Sequence, residues 1–469
     1  MNDYTRRGFL KAAGLAQAAL IAPRGVAPAA KAKATPRRPN ILLIMSDDQT
    51  WRDNGCYGNP DVKTPNIDRL ASQGMRFTRC FTATAMCAPT RQQLYTGIFP
   101  VRNGAWPNHS RVYDGTKSIV HYLKALGYRV GLSGKKHFGP SSSFPFEGVR
   151  DKRQFIRRDQ SQPYCLIVTS HSPHLPWSAG DASAYEADKL TLPPYIADTP
   201  EMRRALCRYY AEITDFDREV GEAMKLVDAS GRADDTLFIY TSEQGAQIPH
   251  GKWTCYDVGL RTALVVRWPR RVKAGSVARA MVQYVDVVPT LVEAAGGKVP
   301  AGLDGRSFLP VLLGKTDKHN KYVYGVHTTR GIISGSQCYP VRSVRSETFK
   351  YIRNLNHKTT FRNTLIVSDK ANYWRSWVAA AKTDKTIAKL VSMYQTRPAE
   401  ELYDILKDPY ELTNLADRAE HAQVKAALSR KLDEWMAQQG DKGNATEMKA
   451  RERQGRGKSG SRRKGAKKR

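Results

Sequence analysis

No run of eighteen or more apolar residues occurs in this chain of 469 residues, which excludes a membrane-spanning helix in its body. Cysteines are few and scattered, at positions 56, 80, 87, 165, 207, 255 and 338, with no Cys-x-x-Cys pair. That spacing argues against a zinc site or a compact disulfide framework, and the odd count leaves at least one thiol unpaired. No internal repeat and no fixed short period is present, which excludes collagen-like and coiled-coil chains. Acidic side chains are the scarce charge, 44 against 75 basic ones, for a formal net charge of +31. The excess is uneven: residues 1–38 carry +7 and residues 442–469 carry +10, leaving +14 for the body. With 41% hydrophobic and 25% charged residues the chain has the composition of a folded protein, long enough for one large domain and a smaller one.

The two ends read differently from the body. Thr5-Arg6-Arg7-Gly8-Phe9-Leu10-Lys11 precedes the weakly apolar Ala12–Ala22 and the small residues Ala27-Pro28-Ala29, the layout of a twin-arginine export signal. This predicts a bacterial protein, periplasmic or secreted, that meets the twin-arginine translocase. The last residues, rich in Gly, Ser, Lys and Arg, lack apolar periodicity and are expected to be disordered. Their charge would attract polyanions such as sulfated glycans, or serve only as a solvated tail; nothing marks a specific nucleic-acid module. The expected organisation is an export signal over 1–30, a basic linker over 31–38, a large domain over 39–320, a smaller α+β domain over 321–440 and a basic tail over 441–469.

Within the body, Asn40-Ile-Leu-Leu-Ile-Met45 is the kind of run expected of a strand buried on both faces, and it ends abruptly in Ser46-Asp47-Asp48. Similar runs recur at Tyr164–Val168, Thr236–Tyr240 and Ala263–Val266, with helical patterns at Asn66–Gln73, Lys117–Leu126 and Glu201–Ser230 between them. The alternation predicts an α/β fold with a large central mixed, mostly parallel sheet flanked by helices. Ligands of such sheets bind beyond the carboxyl ends of the strands. After about residue 320, short runs at Tyr322–His327 and Phe349–Arg353 and a helical stretch at Glu420–Gln438 predict a smaller antiparallel sheet with a helix.

Three polar sets follow the strand ends: Asp47-Asp48, His171 and His174 in His-Ser-Pro-His, and Glu243-Gln244. Three carboxylates and an amide carbonyl suit a hard cation, Ca²⁺ or Mg²⁺, better than Zn²⁺. Each acidic pair taken alone is more often a helix cap or loop anchor.

The sharpest motif is Cys87-Ala-Pro-Thr-Arg91, followed by Leu94-Tyr-Thr-Gly97. With Asp47-Asp48 upstream and Gly134-Lys-Lys-His-Phe-Gly139 downstream, the chain resembles the sulfatase family, whose alkaline-phosphatase-like fold carries a signature cysteine oxidised to Cα-formylglycine. The resemblance runs from Pro39 to Ala416, including Glu401-Leu-Tyr-Asp404 and Asp408-Pro-x-Glu411-x-x-Asn414-Leu415. Gly134–Pro140 and Leu192–Pro200 look most like the heparan N-sulfatase (sulfamidase) branch.

The resemblance implies that Asp47, Asp48, Glu243 and Gln244 hold one Ca²⁺ together with the modified Cys87. Arg91 would orient the formylglycine, Lys135 and Lys252 would bind the sulfuryl oxygens, His174 would protonate the leaving group, and His137 would act as base. It further implies a formylglycine-generating enzyme as partner and a sulfated sugar, a glycosaminoglycan unit with an O- or N-linked sulfate, as substrate. The chain departs from the family where Asp followed by Asn or His is usual and Glu243-Gln244 stands instead. His171, His250 and Lys136 are ambiguous, and Lys252-Trp253 reads as a surface pair but for its place after Glu243-Gln244.

Such chemistry needs positive charge at Cys87, because the nucleophile must approach an anionic sulfuryl group. A bare thiol has no easy way to release a sulfated adduct, whereas an aldehyde hydrate expels sulfate and is restored. Two rivals remain at the level of sequence: a phosphoester or phosphonate-ester hydrolase on the same scaffold, and a non-catalytic polyanion-binding protein with a relict pocket.

Overall fold

A computed structural model of the chain describes residues 38–332, 334–367 and 372–454. The export signal, positions 31–37 of the linker and positions 455–469 of the tail lie outside these residues.

Nine strands form the main sheet: β1 Asn40–Met45, β2 Met75–Phe81, β3 Arg129–Gly134, β4 Glu147–Gly148, β5 Tyr164–Thr169, β6 Thr236–Thr241, β7 Arg261–Arg267, β8 Ser276–Ala278 and β9 Val282–Gln283. Their order is β4-β3-β5-β1-β6-β7-β2-β8, with β9 also on β2. β7 alone runs against its neighbours, and all other pairings are parallel. The apolar run at the start is the central strand because both its faces are covered. Ile41, Leu43 and Met45 enter one core with Cys165, Ile167, Leu237 and Ile239; Leu42 and Ile44 enter the other with Leu166, Val168, Phe238 and Tyr240. The period-two alternation of a strand thus serves two apolar layers at once. Each fully buried side chain of this kind contributes roughly 1.5–3 kcal/mol against exposure.

The long helix Pro200–Asp228 lies over the second of these layers through Phe216, Val220 and Met224. Thr199 begins it by accepting a hydrogen bond from the Met202 amide, and Pro200 fills the first helical position, where no amide hydrogen is needed.

The smaller sheet is antiparallel, β10 Val323–His327, β11 Val341–Arg345, β12 Phe349–Asn354 and β13 Glu400–Asp404 in that order. Helix Ala422–Gln438 covers it with Leu428, Leu432 and Trp435, and Trp435 stacks on Tyr324 at 4.9 Å between ring centres. This part shares its core with the larger sheet: Phe99 and Val101 pack with Val326, Tyr351 and Trp435. A buried ion cluster also joins them, Arg345 and Lys350 on Asp257, and Lys350 on Glu411.

The tail expected from residue 441 is corrected over 441–454. These residues fold into helices Asn444–Met448 and Ala450–Arg453 against the body. Two buried carboxylates anchor them. Asp441 pairs with the fully buried Arg342, and Glu447 accepts from the amides of Thr329 and Arg330. Composition hid this, because the anchoring comes from single long-range contacts and not from an apolar stripe.

Candidate active site

Strand register assembles the site. Met45 of β1 stands opposite Thr241 of β6, and two residues past each comes a carboxylate, Asp47 and Glu243. On the other side, Gly134 of β3 stands opposite Thr169 of β5, placing Lys135 at the same edge. Gly134 has φ of +98°, and a Cβ there would lie 1.9 Å from the Thr169 carbonyl oxygen, so only glycine lets the chain turn here toward Lys135. β2 is antiparallel to β7, which is antiparallel to β6, so β2 ends at this edge too and delivers helix Cys87–Thr96. All ten residues of that helix are buried. Cys87 opens its first turn, and the Cys-x-Pro-x-Arg spacing puts Arg91 one turn further on the same side.

Ligand atoms of Asp47, Asp48, Cys87 and Glu243 all lie within 4.8 Å of one another, and all four residues are buried. The Cys87 Sγ is 3.7 Å from an oxygen of each aspartate. Gln244 points its Nε2 at three acceptors, Asp48 Oδ1 at 2.6 Å, Glu243 Oε2 at 2.8 Å and Cys87 Sγ at 3.3 Å, while its Oε1 is buried without a partner. An amide hydrogen pair therefore sits where the donor atoms converge. Turning that amide by 180° would aim the orphaned oxygen into the cluster and complete an all-oxygen set on three carboxylates, which fits a hard divalent cation. The departure at Glu243-Gln244 thus leaves a ligand set of the same chemistry.

Charge is balanced tightly. Arg91 Nε meets Glu243 Oε1, and its Nη2 lies 3.7 Å from Asp47. Lys135 Nζ pairs with Asp47 Oδ2, and Lys252 Nζ lies 2.5 Å from Asp48 Oδ2. Burial alone would raise the Asp47 carboxyl, but its hydrogen bond with Glu243 and the charges of Lys135 and Arg91 hold it well below the usual range. Burial drives the Glu243 carboxyl well above that range, against the pull of Arg91. Burial disfavours the charged forms of Lys135 and Lys252, yet the anionic groups around them win, and both are held above the usual lysine value. Lys252 is therefore no surface residue. The Cys87 thiol is pushed up by burial, beyond the opposing pull of Lys252.

His174 has its Nδ1 on the Leu175 carbonyl oxygen at 2.7 Å, leaving Nε2 3.5 Å from Asp48 and 3.4 Å from Lys252 Nζ. His137 is held by an unexpected neighbour, His109, at 3.0 Å from Nε2 to Nδ1. Burial and the charge of Lys135 push His137 down to about 3. His171 is exposed at the rim, near enough to Lys135 for that charge to add to burial in lowering it. His250 belongs elsewhere: it is buried, stacked 4.5 Å from Tyr256, and burial pushes it down to about 3. Lys136 is exposed. His109 escaped the sequence reading because the loop around it carries no motif.

Comparison with known proteins agrees with this geometry. The sulfatase family model matches residues 39–157 and 149–297, and the chain belongs to the sulfatase family, the sulfuric ester hydrolases. A second model, described as N-sulphoglucosamine sulphohydrolase, C-terminal, matches residues 249–369. Among its relatives, an ulvan-active sulfatase of Formosa agariphila is 36% identical over 431 residues, 88% of this chain and 82% of that protein. The human N-sulphoglucosamine sulphohydrolase is 28% identical, covering 86% of this chain and 90% of the human one. Two solved structures share the fold. A protein in complex with its substrate D-glucosamine-2-N,6-O-disulfate matches with a TM-score of 0.65 at 21% identity, over 87% of this chain and 99% of that one. The phosphonate monoester hydrolase of Agrobacterium radiobacter matches with a TM-score of 0.65 at 20% identity, over 87% and 97%.

Proposed function

We propose that this sulfatase removes sulfate, linked through oxygen or nitrogen, from a sugar of a sulfated glycan, with Cys87 converted to formylglycine and one Ca²⁺ bound. The observation that carries this reading is the meeting, at one strand edge, of Cys87 with four candidate ligands and three cationic side chains.

Asp47, Asp48, Glu243 and Gln244 would hold the cation, which when bound supplies fixed positive charge for a sulfuryl oxygen. Formylglycine at Cys87 supplies a nucleophile that is restored after each turnover. Conversion also accounts for the buried thiol: its raised titration leaves it protonated and ill suited to attack as a thiolate. Arg91, locked by Glu243, fixes the position of residue 87 one turn before it. Lys135 and Lys252 neutralise Asp47 and Asp48 in the resting site, and their ammonium groups are the donors placed to receive sulfuryl oxygens. His174 keeps Nδ1 on a carbonyl, so Nε2 is the atom that hands a proton to the leaving alcohol or amine, with Asp48 balancing its cationic form.

The glycan reading draws on the 36% identity to an ulvan-active sulfatase and on the N-sulphoglucosamine sulphohydrolase model matched over 249–369. The export reading rests on Thr5–Lys11. The test is kcat/KM at one ionic strength for N-sulfated glucosamine, 2-O- and 6-O-sulfated sugars, an ulvan oligosaccharide, nitrophenyl sulfate and a phosphonate monoester, with and without residues 455–469. A sulfated sugar should lead in both forms, because a site built for sugar hydroxyls leaves polar groups unpaired with an aryl ester. Leadership by nitrophenyl sulfate in the shortened chain would refute the glycan assignment, and leadership by the phosphonate would refute sulfate itself.

A further inference from the structure

We propose that Asn108, His109 and His137 form a hydrogen-bonded relay that fixes the His137 proton on Nε2, so that Nδ1 is the nitrogen that accepts a proton in turnover. The proposal rests on the reading of His137 as the proton acceptor of the site.

Two histidine rings meet at 3.0 Å, Nε2 of His137 to Nδ1 of His109, with ring centres 4.9 Å apart. One hydrogen lies between them, so the tautomer of one ring dictates that of the other. Both residues adopt left-handed backbone, φ +51° for His137 and +58° for His109, a conformation that persists only where the surroundings impose it. The loop around His109 is clamped on both sides of that residue by the C-terminal segment. Gln454 Nε2 donates to the Asn108 carbonyl at 2.7 Å, Ser110 pairs with Gln454, and Arg453 donates to the carbonyls of Gly104 and Arg111 at 2.9 Å each. The third member is Asn108, whose side-chain amide lies 3.4 Å from His109 Nε2 and whose Oδ1 is buried without a partner.

Asn108 can present oxygen or nitrogen to His109, so the relay could be built in either polarity. The charges around His137 select one. The groups acting on it are Lys135, Arg91 and His109, with Asp47 the anion, and Lys135 outweighs Asp47. The ring is thus neutral, and its Nδ1 is buried with no hydrogen-bond partner. A buried nitrogen with no acceptor in reach is better left as a lone pair than as an unpaired N–H. His137 therefore donates from Nε2 to His109 Nδ1, His109 donates from Nε2 to Asn108 Oδ1, and His137 Nδ1 is bare. Nδ1 takes the proton of the free hydroxyl of the sulfated hydrate as the C–O bond to sulfate breaks and the aldehyde C=O forms, and it passes that proton to water once sulfate has left. His109, whose charged form is disfavoured by partial desolvation and the charges of Lys252 and Lys135, is a positioning residue here.

The test uses the full-length protein labelled with ¹⁵N-histidine, with His137 signals assigned through His137→Gln. Nitrogen shifts should show the Nε2–H tautomer for His137 in the wild type and a tautomer mixture in His109→Phe. In parallel, His109→Phe should lower kcat on nitrophenyl sulfate by about 10- to 100-fold with KM within about twofold. His109→Asn, which keeps an acceptor near the Nδ1 position, should restore most of the loss. Formylglycine content, measured by mass spectrometry in each protein, separates lost positioning from lost modification. An Nδ1–H tautomer in the wild type, an unchanged tautomer in His109→Phe, or a raised KM at unchanged kcat would overturn the relay. If the wild type hydrolyses no sulfate at all, the functional reading fails while the nitrogen shifts still decide the relay.

Discussion

Arg91 and Glu243 are both sealed from solvent and meet as an ion pair, although one comes from the helix that begins at Cys87 and the other from the loop after β6. The pair ties the residue that would be modified to the strand edge that would hold the cation. Arg91→Met should leave Glu243 and Asp47 without their shared counter-charge. A loss of about 3–5 kcal/mol is expected from breaking one side of a buried pair, read as a fall in the denaturation midpoint without added calcium. A midpoint equal to that of the wild type would show that the pair does not organise the site.

Glu243→Asp shortens one ligand by a methylene and restores the residue more usual in the family. Calcium should still bind at one ion per chain, since the other oxygens converge within the same small volume. Asp47→Ala, by contrast, should abolish stoichiometric calcium. Metal analysis of both variants decides the matter, and stoichiometric zinc in the wild type would contradict the ligand assignment.

Cys87→Ala should abolish turnover and leave the unfolding transition in place, because a buried thiol of this size contributes little packing. The wild-type peptide carrying residue 87 should contain an aldehyde or its hydrate. Sulfatase turnover in the alanine variant would refute the proposed nucleophile.

His250 yields a prediction in pH. It is buried, and burial lowers it to about 3, whereas an unfolded histidine titrates near ~6.5. Below that unfolded value the unfolded state binds a proton that the folded state refuses, so stability falls as pH drops from about 6.5 toward 3. His250→Phe keeps the aromatic stack on Tyr256 and should flatten this slope by one proton's worth. Equal slopes in denaturant midpoint against pH would show that His250 is protonated in the fold.

Asp441 gives a further test of the architecture. Its carboxylate is the partner of the buried Arg342, so a chain ended after Gly440 strands that guanidinium inside β11. Ending the chain there should cost on the order of 3–5 kcal/mol, while ending it after Gln454 should cost little. Identical unfolding of the two would return residues 441–454 to the status of a tail.

Much of the sheet was legible because its central strands are uniformly apolar: Asn40–Met45 occurs as read, and β5 and β6 extend the expected runs by one residue. β2 and β3 were not read as strands. Met75–Phe81 interleaves two arginines with its apolar residues, and Arg129–Gly134 contains two glycines, so neither presents a continuous apolar run. The strand-end residues Asp47, Asp48, Glu243 and Gln244 could be found because abrupt polarity after an apolar run is a local signal. His109 could not. Its importance lies in a contact across 28 positions with His137 and in clamps from Arg453 and Gln454 more than 340 positions away. The same separation hid the anchoring of Asp441 and Glu447, whose partners Arg342 and Thr329 lie far upstream.

The clamps on the loop of His109 are also made well after the candidate catalytic residues. A nascent chain that has emerged only as far as Gly440 already carries Asp47, Cys87, Lys135, His137, Glu243 and Lys252. It lacks Arg453 and Gln454, which brace residues 104–111, and Glu447, which caps the turn at Thr329 and Arg330. The loop beside the candidate active site is therefore braced only after every candidate catalytic residue has been made.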